Sequence, residues 1–176
     1  AELRFKINSV YGGAGFPVSL SLISPHMNWV AIEPSGLKID GWHIQTSPLN
    51  HPGGGSGYRI SHENAQASVV YLSDHEHGTE KDEALARFAH GAGLVIWDSS
   101  YDDRNFAPFK GWGHSTWQEG LRFYEHSQAR ALALTHHDPS RDDAAAAEIE
   151  LQLTTPATFL AHDRLVLPQV LNDLNP

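Results

Sequence analysis

The chain has 176 residues, 40% of them hydrophobic, and 12 Lys and Arg against 21 Asp and Glu, a formal charge of −9; this fits one globular domain, residues 1 to 176, able to bury a core. It has no cysteine, which excludes disulfides, thiolate metal sites, iron–sulfur clusters and a cysteine nucleophile, so any metal must bind through nitrogen and oxygen. So few cations argue against a nucleic-acid-tracking surface; no apolar run approaches the ~18 residues that span a bilayer, and the start AELRFKINSV lacks the order of a signal peptide, so a cytoplasmic, non-membrane protein is expected.

Residues 1 to 60 are rich in Gly, Pro and Ser and break into short β-type runs at 29 to 32, 37 to 39 and 43 to 46, the pattern of antiparallel sheet. The apolar run SVVYLS (68 to 73) then leads into TEKDEALARFAH (79 to 90), whose apolar residues Leu85, Phe88 and Ala89 have helical spacing, and LVIWD (94 to 98) follows as a strand. The unit repeats: STWQEGLRFYEHSQA (115 to 129) places Trp117, Leu121 and Tyr124 on one helical face, and ALALTH (131 to 136) is the next strand. Ser115 and Gln118 have capping-box spacing at the start of that helix. Residues 142 to 153 predict a further helix with acids in its first turn, and 164 to 167 a short strand. Strands alternating with helices imply an α/β layered domain whose functional loops lie at the carboxyl ends of the strands.

The 12 histidines are the unusual feature of the composition, and several fall where that architecture would build a site. NHPGGGSGY (50 to 58) follows the run at 43 to 46, Asp74-His75-Glu76-His77 follows the strand at 68 to 73, Asp98 ends the strand at 94 to 98, and His136-His137-Asp138 ends the strand at 131 to 136. One histidine at a strand end is ordinarily a solvated loop residue. Acids and imidazoles delivered by four strand ends to one edge instead form an oxygen and nitrogen set suited to zinc, manganese or iron. The glycines at 53, 54, 55 and 57 read as a tight turn carrying His51, since no Gly-Lys-Ser/Thr ends them as in a phosphate loop. No G-x-S-x-G elbow supports a serine hydrolase.

From about Phe16, in FPVSL, to about Asp143, the order NHPGGGSGYRI, VVYLSDHEHG, LVIWDSSY, GWGHSTWQEGL and ALTHHDP resembles the later part of metallo-β-lactamase-fold hydrolases, in the branch of ribonuclease Z and cyclic-nucleotide phosphodiesterases. The resemblance implies an α/β four-layer αβ/βα sandwich, of which only the later part lies in this chain. It implies that His51, Asp74 and His136 are metal ligands, with Asp74 bridging two divalent ions, expected as zinc with manganese or iron as alternatives. It places His114 over a scissile phosphate, where its imidazole aids departure of the leaving oxygen while metal-activated water attacks. Asp98 then supports the site, and His75 and His77, alternate residues on an extended segment, point together as partners that orient Asp74. Trp117 reads as helix core, and Trp112 as a wall for a flat group.

The family's H-x-H-x-D-H motif is absent from this sequence. A recorded chain that is part of a longer protein is the favoured explanation, ahead of a split enzyme completed by a second chain and a degenerate relative. A half sandwich would leave an apolar sheet face to cover, so homo-oligomerisation or a partner is expected. The leading expectation is hydrolysis of a small phosphodiester, such as a cyclic nucleotide, in preference to long RNA. The alternatives are a carboxylic ester, thioester or lactone hydrolase on the same metals, and a metal-binding or sensory module without turnover.

Overall fold

The computed structural model describes residues 30 to 33 and 35 to 165. The chain divides into two units, Ala1–Ala31 and Ile32–Pro176, and every element named here belongs to the second. The FPVSL segment, Trp29 and residues 166 and 167 lie outside the described residues, while 30 to 32 carry no regular structure.

Seven strands form one sheet in sequence order. β1 (Leu37–Ile39), β2 (Trp42–Pro48), β3 (Ser56–His62) and β4 (Val69–Leu72) run antiparallel. From β4 onward the pairing is parallel, through β5 (Leu94–Asp98), β6 (Leu132–Thr135) and β7 (Thr158–Leu160). Parallel neighbours need a crossover between them. Three helices supply it, α1 (Lys81–Ala89), α2 (Trp117–Ser127) and α3 (Asp143–Glu150). Of the strand expected at 164 to 167, Arg164 lies in a turn; the strand paired with β6 is β7, which at three residues is too short for alternation to reveal it.

The helices share one face of the sheet. Leu85, Ala86 and Ala89 of α1, Trp117 and Phe123 of α2, and Ile149 of α3 pack in one core with Val70, Leu72, Val95, Trp97, Leu132, Leu134 and Leu160, the alternate residues of four strands. Gly120 lets α2 come close: a Cβ there would lie 2.7 Å from Trp97 and 2.8 Å from Leu134. The α2 cap is Thr116, whose hydroxyl accepts from the Glu119 amide, one residue later than the spacing predicted. Ser115 is unavailable because its hydroxyl turns inward and donates to the His75 carbonyl at 2.6 Å. α3 starts as expected, with Asp142 accepting from the Ala145 amide.

The opposite face carries a smaller cluster of Leu94, Ala131 and Ala133, flanked by Val69, Ile96 and Phe159. It continues across the antiparallel strands through the cross-strand neighbours Tyr71 and Tyr58, and Trp42 and Ile39. These last four are 41%, 37%, 48% and 50% exposed, an uncovered apolar surface in this unit. No helix among the described residues is long and apolar enough to cross a membrane.

Candidate metal centre

The carboxyl ends of β4, β5 and β6 lie side by side because those strands are parallel neighbours. Asp74 follows β4, Asp98 ends β5 and His136 follows β6, while His114 arrives on the loop that leads into α2. Ligand atoms of these four residues all lie within 4.8 Å of one another. Asp74 Oδ1 is 3.2 Å from His136 Nε2 and 3.8 Å from His114 Nδ1. The His114 and His136 rings stack with centroids 4.8 Å apart. Asp74 and His136 both adopt left-handed backbone, at φ 62° and 57°; this conformation is costly for non-glycine residues and collects at functional sites.

Asp98 is fully buried, and its carboxylate organises the centre. Oδ1 accepts from the Ser100 amide and hydroxyl and from the Ser115 amide. Oδ2 accepts from the Asp74 amide at 3.1 Å and faces His114 Nδ1 at 2.8 Å. A carboxylate only accepts, so His114 carries a proton on Nδ1 and keeps Nε2 for other partners. The Ser100 hydroxyl also lies 2.8 Å from the His136 carbonyl, which ties the ends of β5 and β6 together.

His51 stands beside this group, its ring centroid 5.8 Å from that of His114. Its Nδ1 accepts from the Gly53 amide at 3.1 Å. A neutral ring then carries its proton on Nε2, so ligation through Nε2 requires His51 to release Gly53. Gly113 packs directly on this ring. A Cβ at 113 would collide with His51 Cδ2 and lie 2.8 Å from Pro52, and the backbone there has φ +94°. Gly113→Ala is expected to cost about 1–3 kcal/mol and to displace His51, read as a lower Tm together with altered His51 ring shifts; unchanged shifts would contradict the packing.

His75 and His77 face different neighbours, and both serve the loops around the centre. His75 is fully buried; its Nδ1 accepts from the Asn50 amide and its Nε2 lies 3.1 Å from Asp82. Burial opposes the charge of Asp82, but hydrogen bonds from His75, Gly78 and Thr79 hold it below the usual carboxylate range. His75 therefore steadies the approach to His51, and Lys81 assists by donating to the Leu49 carbonyl at 2.8 Å. The His77 amide donates to the Ser115 hydroxyl, and its ring stacks near Phe106. The contacts of these two histidines lie with Asn50, Asp82, Ser115 and Phe106, while the Asp74 amide donates to Asp98. His137 turns away from the centre, with Nε2 toward the Ala161 carbonyl and Nδ1 toward Arg141.

Burial holds both His77 and His137 below the ordinary imidazole value of 6.5. The unfolded chain therefore takes up these protons first, so their contribution to stability is complete above pH about 6.5 and declines as the pH falls through the imidazole range. A melting series from pH 8 to 5 is expected to show Tm falling over that interval, with a smaller fall in His137→Gln; a wild-type Tm that rises on acidification would contradict it.

Sequence reasoning missed Ser100 and Arg141. Arg141 Nη1 donates to the Ser99 carbonyl at 2.7 Å and Nη2 to the Ser100 carbonyl at 3.1 Å. It fastens the loop after β5 from a site remote in sequence, and an isolated cation gives no spacing signal; Ser100 was legible only as part of the polar run DSSY. A cleft of about 340 Å³, lined by Ser100, Tyr101, Phe109, Arg141, Glu148 and Gln152 among others, lies between the loop after β5 and α3, and none of Asp74, Asp98, His114 and His136 lines it. Trp117 is core, as its spacing predicts, whereas Trp112 is 61% exposed.

No family model matches the sequence, and no curated protein matches it significantly. Solved structures do. Human tRNase Z, short form, superposes with a TM-score of 0.57 and 19% identity over 73% of this chain and 44% of its own. The metallo-β-lactamase fold protein YhfI from Bacillus subtilis gives 0.58 and 20% over 74% of this chain and 51% of its own. The chain has the metallo-β-lactamase fold. An isothiocyanate hydrolase from Delia radicum gut bacteria gives 0.59 and 14%, covering 82% of this chain and 61% of its own. The chain thus spans about half the length of these metallo-β-lactamase-fold proteins. In the described residues its sheet and one helix layer correspond to part of the four-layer sandwich, and its Asp and His cluster could hold one metal ion.

Proposed function

We propose that this chain is the later part of a metal-dependent hydrolase acting on a small phosphodiester, its site held by His51, Asp74 and His136 with Asp98 and His114 beside them. The observation that carries the reading is the 2.8 Å contact between the buried Asp98 and His114 Nδ1, next to the Asp74–His136 pair. The donors fit a divalent cation: nitrogen and oxygen, with no thiolate, from separate strand ends and with Asp74 and His136 open to solvent, as zinc, manganese or iron require. Held by these residues, a divalent cation would supply Lewis-acid polarisation of phosphoryl oxygens and a water nucleophilic near neutral pH.

The protein's own part follows from its geometry. Asp98 fixes the His114 ring through Nδ1, so that Nε2 carries a proton to the departing oxygen; positioned proton transfer of this kind is worth about 10²–10⁴-fold in rate. With 12 cations against 21 acids, the chain offers little attraction for a long polyanion. Among the similar structures, one is a tRNase Z by name and another a diphosphatase, which favours chemistry at phosphorus. The same fold also carries an isothiocyanate hydrolase and a β-hydroxylase, so the fold alone does not select the reaction. The exposed apolar sheet face is assigned to a second half carrying H-x-H-x-D-H, on this polypeptide or another, which would complete the first of two zinc sites in a cytoplasmic enzyme.

Bis-p-nitrophenyl phosphate and p-nitrophenyl acetate, assayed with zinc or manganese on the protein completed by its H-x-H-x-D-H half, test the reading. Turnover of the phosphodiester that falls about 10²–10⁴-fold in His114→Ala, with metal affinity retained, is the expected result. Ester hydrolysis without phosphodiester hydrolysis would replace this reading with the carboxyl-ester one, and full metal occupancy without turnover of either would replace it with a binding module.

A further inference from the structure

The loop that delivers His114 carries no helix or strand of its own between Phe109 and Trp117. It runs from the short 3-10 turn Ala107–Phe109 through Gly111 and Gly113, both at positive φ, to the start of α2. Such a segment needs an outside anchor to hold an imidazole within a few tenths of an ångström. Glu76 supplies one. Its Oε1 and Oε2 accept from the Gly111 amide at 2.9 and 2.8 Å, and Oε2 also accepts from the Gly113 amide at 2.8 Å. Bonds from amides to an ionised acceptor are short and roughly twice as strong as neutral ones. Two glycines at positive φ turn their N–H groups to one side, the concave arrangement that receives an anion.

Gly113 is also the residue on which the His51 ring rests. One carboxylate therefore reaches two imidazoles of the centre: His114 through the next peptide bond, and His51 through packing. Glu76 itself stands two residues after Asp74, on a segment tied to Asn50, whose side chain donates to the Glu76 carbonyl at 2.9 Å. Nothing in this arrangement brings Glu76 to a substrate atom.

We infer that Glu76 is a positioning residue: its carboxylate, clamped on the Gly111 and Gly113 amides, sets the separation of His114 and His51 across the centre. The inference takes the importance of those two rings from the proposed function, while its geometry stands without it. The test uses the purified chain with no added metal, comparing wild type, Glu76→Gln and the milder Glu76→Asp. In Glu76→Gln the Gly111 and Gly113 amides are expected to exchange about tenfold or more faster, while Gly91, whose amide donates to the Ser127 carbonyl, keeps its rate. The nuclear Overhauser contact between Gly113 Hα and the His51 ring is expected to vanish along with the protection. Glu76→Asp keeps the charge but is one methylene short; it is expected to lie between the two, and it decides the matter if the Gln variant fails to fold. A structural role alone would lower Tm while leaving the glycine rates and the His51 contact intact, and that result overturns the inference. Loss of glycine protection in a chain that binds no zinc would leave the positioning role standing and remove the functional reading.

Discussion

Asp74→Ala is expected to reduce zinc affinity by about 100-fold or more, since loss of a mere supporting group already costs 10–100-fold at metal sites. Asp74 Oδ1 lies between the two rings of the centre, at 3.2 Å from His136 Nε2 and 3.8 Å from His114 Nδ1. Its side chain is half exposed, so its removal leaves no buried donor stranded and should change Tm little. That separation of effects identifies a ligand. Isothermal titration with zinc, alongside a melting curve, reads both quantities. Equal affinity in the variant, or a large loss of stability with little change in binding, would remove Asp74 from the metal site.

Asp98→Ala is expected to do the reverse, losing stability by about 3 kcal/mol or more because buried donors would be left unpaired. The Ser100 amide and hydroxyl, the Ser115 and Asp74 amides and the His114 ring all point at that carboxylate. For a chain of this size the loss corresponds to a fall in Tm of about 6–12 °C. Asp98→Asn should cost nearly as much, since an amide group in either carboxylate position faces donors with another donor. The drop is measured by thermal or urea unfolding without metal. A variant as stable as wild type would mean that the cluster is not the organising element of the three strand ends.

Much of this centre was legible because parallel strands deliver their carboxyl ends to one edge. SVVYLS before Asp74, LVIWD ending in Asp98 and ALALTH ending in His136 are apolar runs that stop at chemistry-bearing residues, and all three became adjacent strands. The helices between them were equally plain, since Leu85, Trp117 and Leu121 repeat at helical spacing. Three-dimensional choices stayed hidden. Whether Ser115 or Thr116 caps α2 depends on a carbonyl forty positions away, and the grip of Arg141 on the 99 to 101 loop has no sequence period at all. The partners of His75 and His77 are likewise set by residues distant in sequence. Alternation places both off the same side of an extended segment, but one ring is buried between the Asn50 amide and Asp82 while the other reaches toward Phe106.

Whether side chains far apart in sequence hold one shared cation is read by a zinc titration followed through the ring nitrogens of ¹⁵N-labelled histidine. His136 and His51 are expected to shift together along one saturating curve that disappears in Asp74→Ala, and the exposed His90 and His126 are expected not to follow it. Shifts confined to such surface histidines, or His136 and His51 responding with unrelated midpoints, would contradict a shared cation.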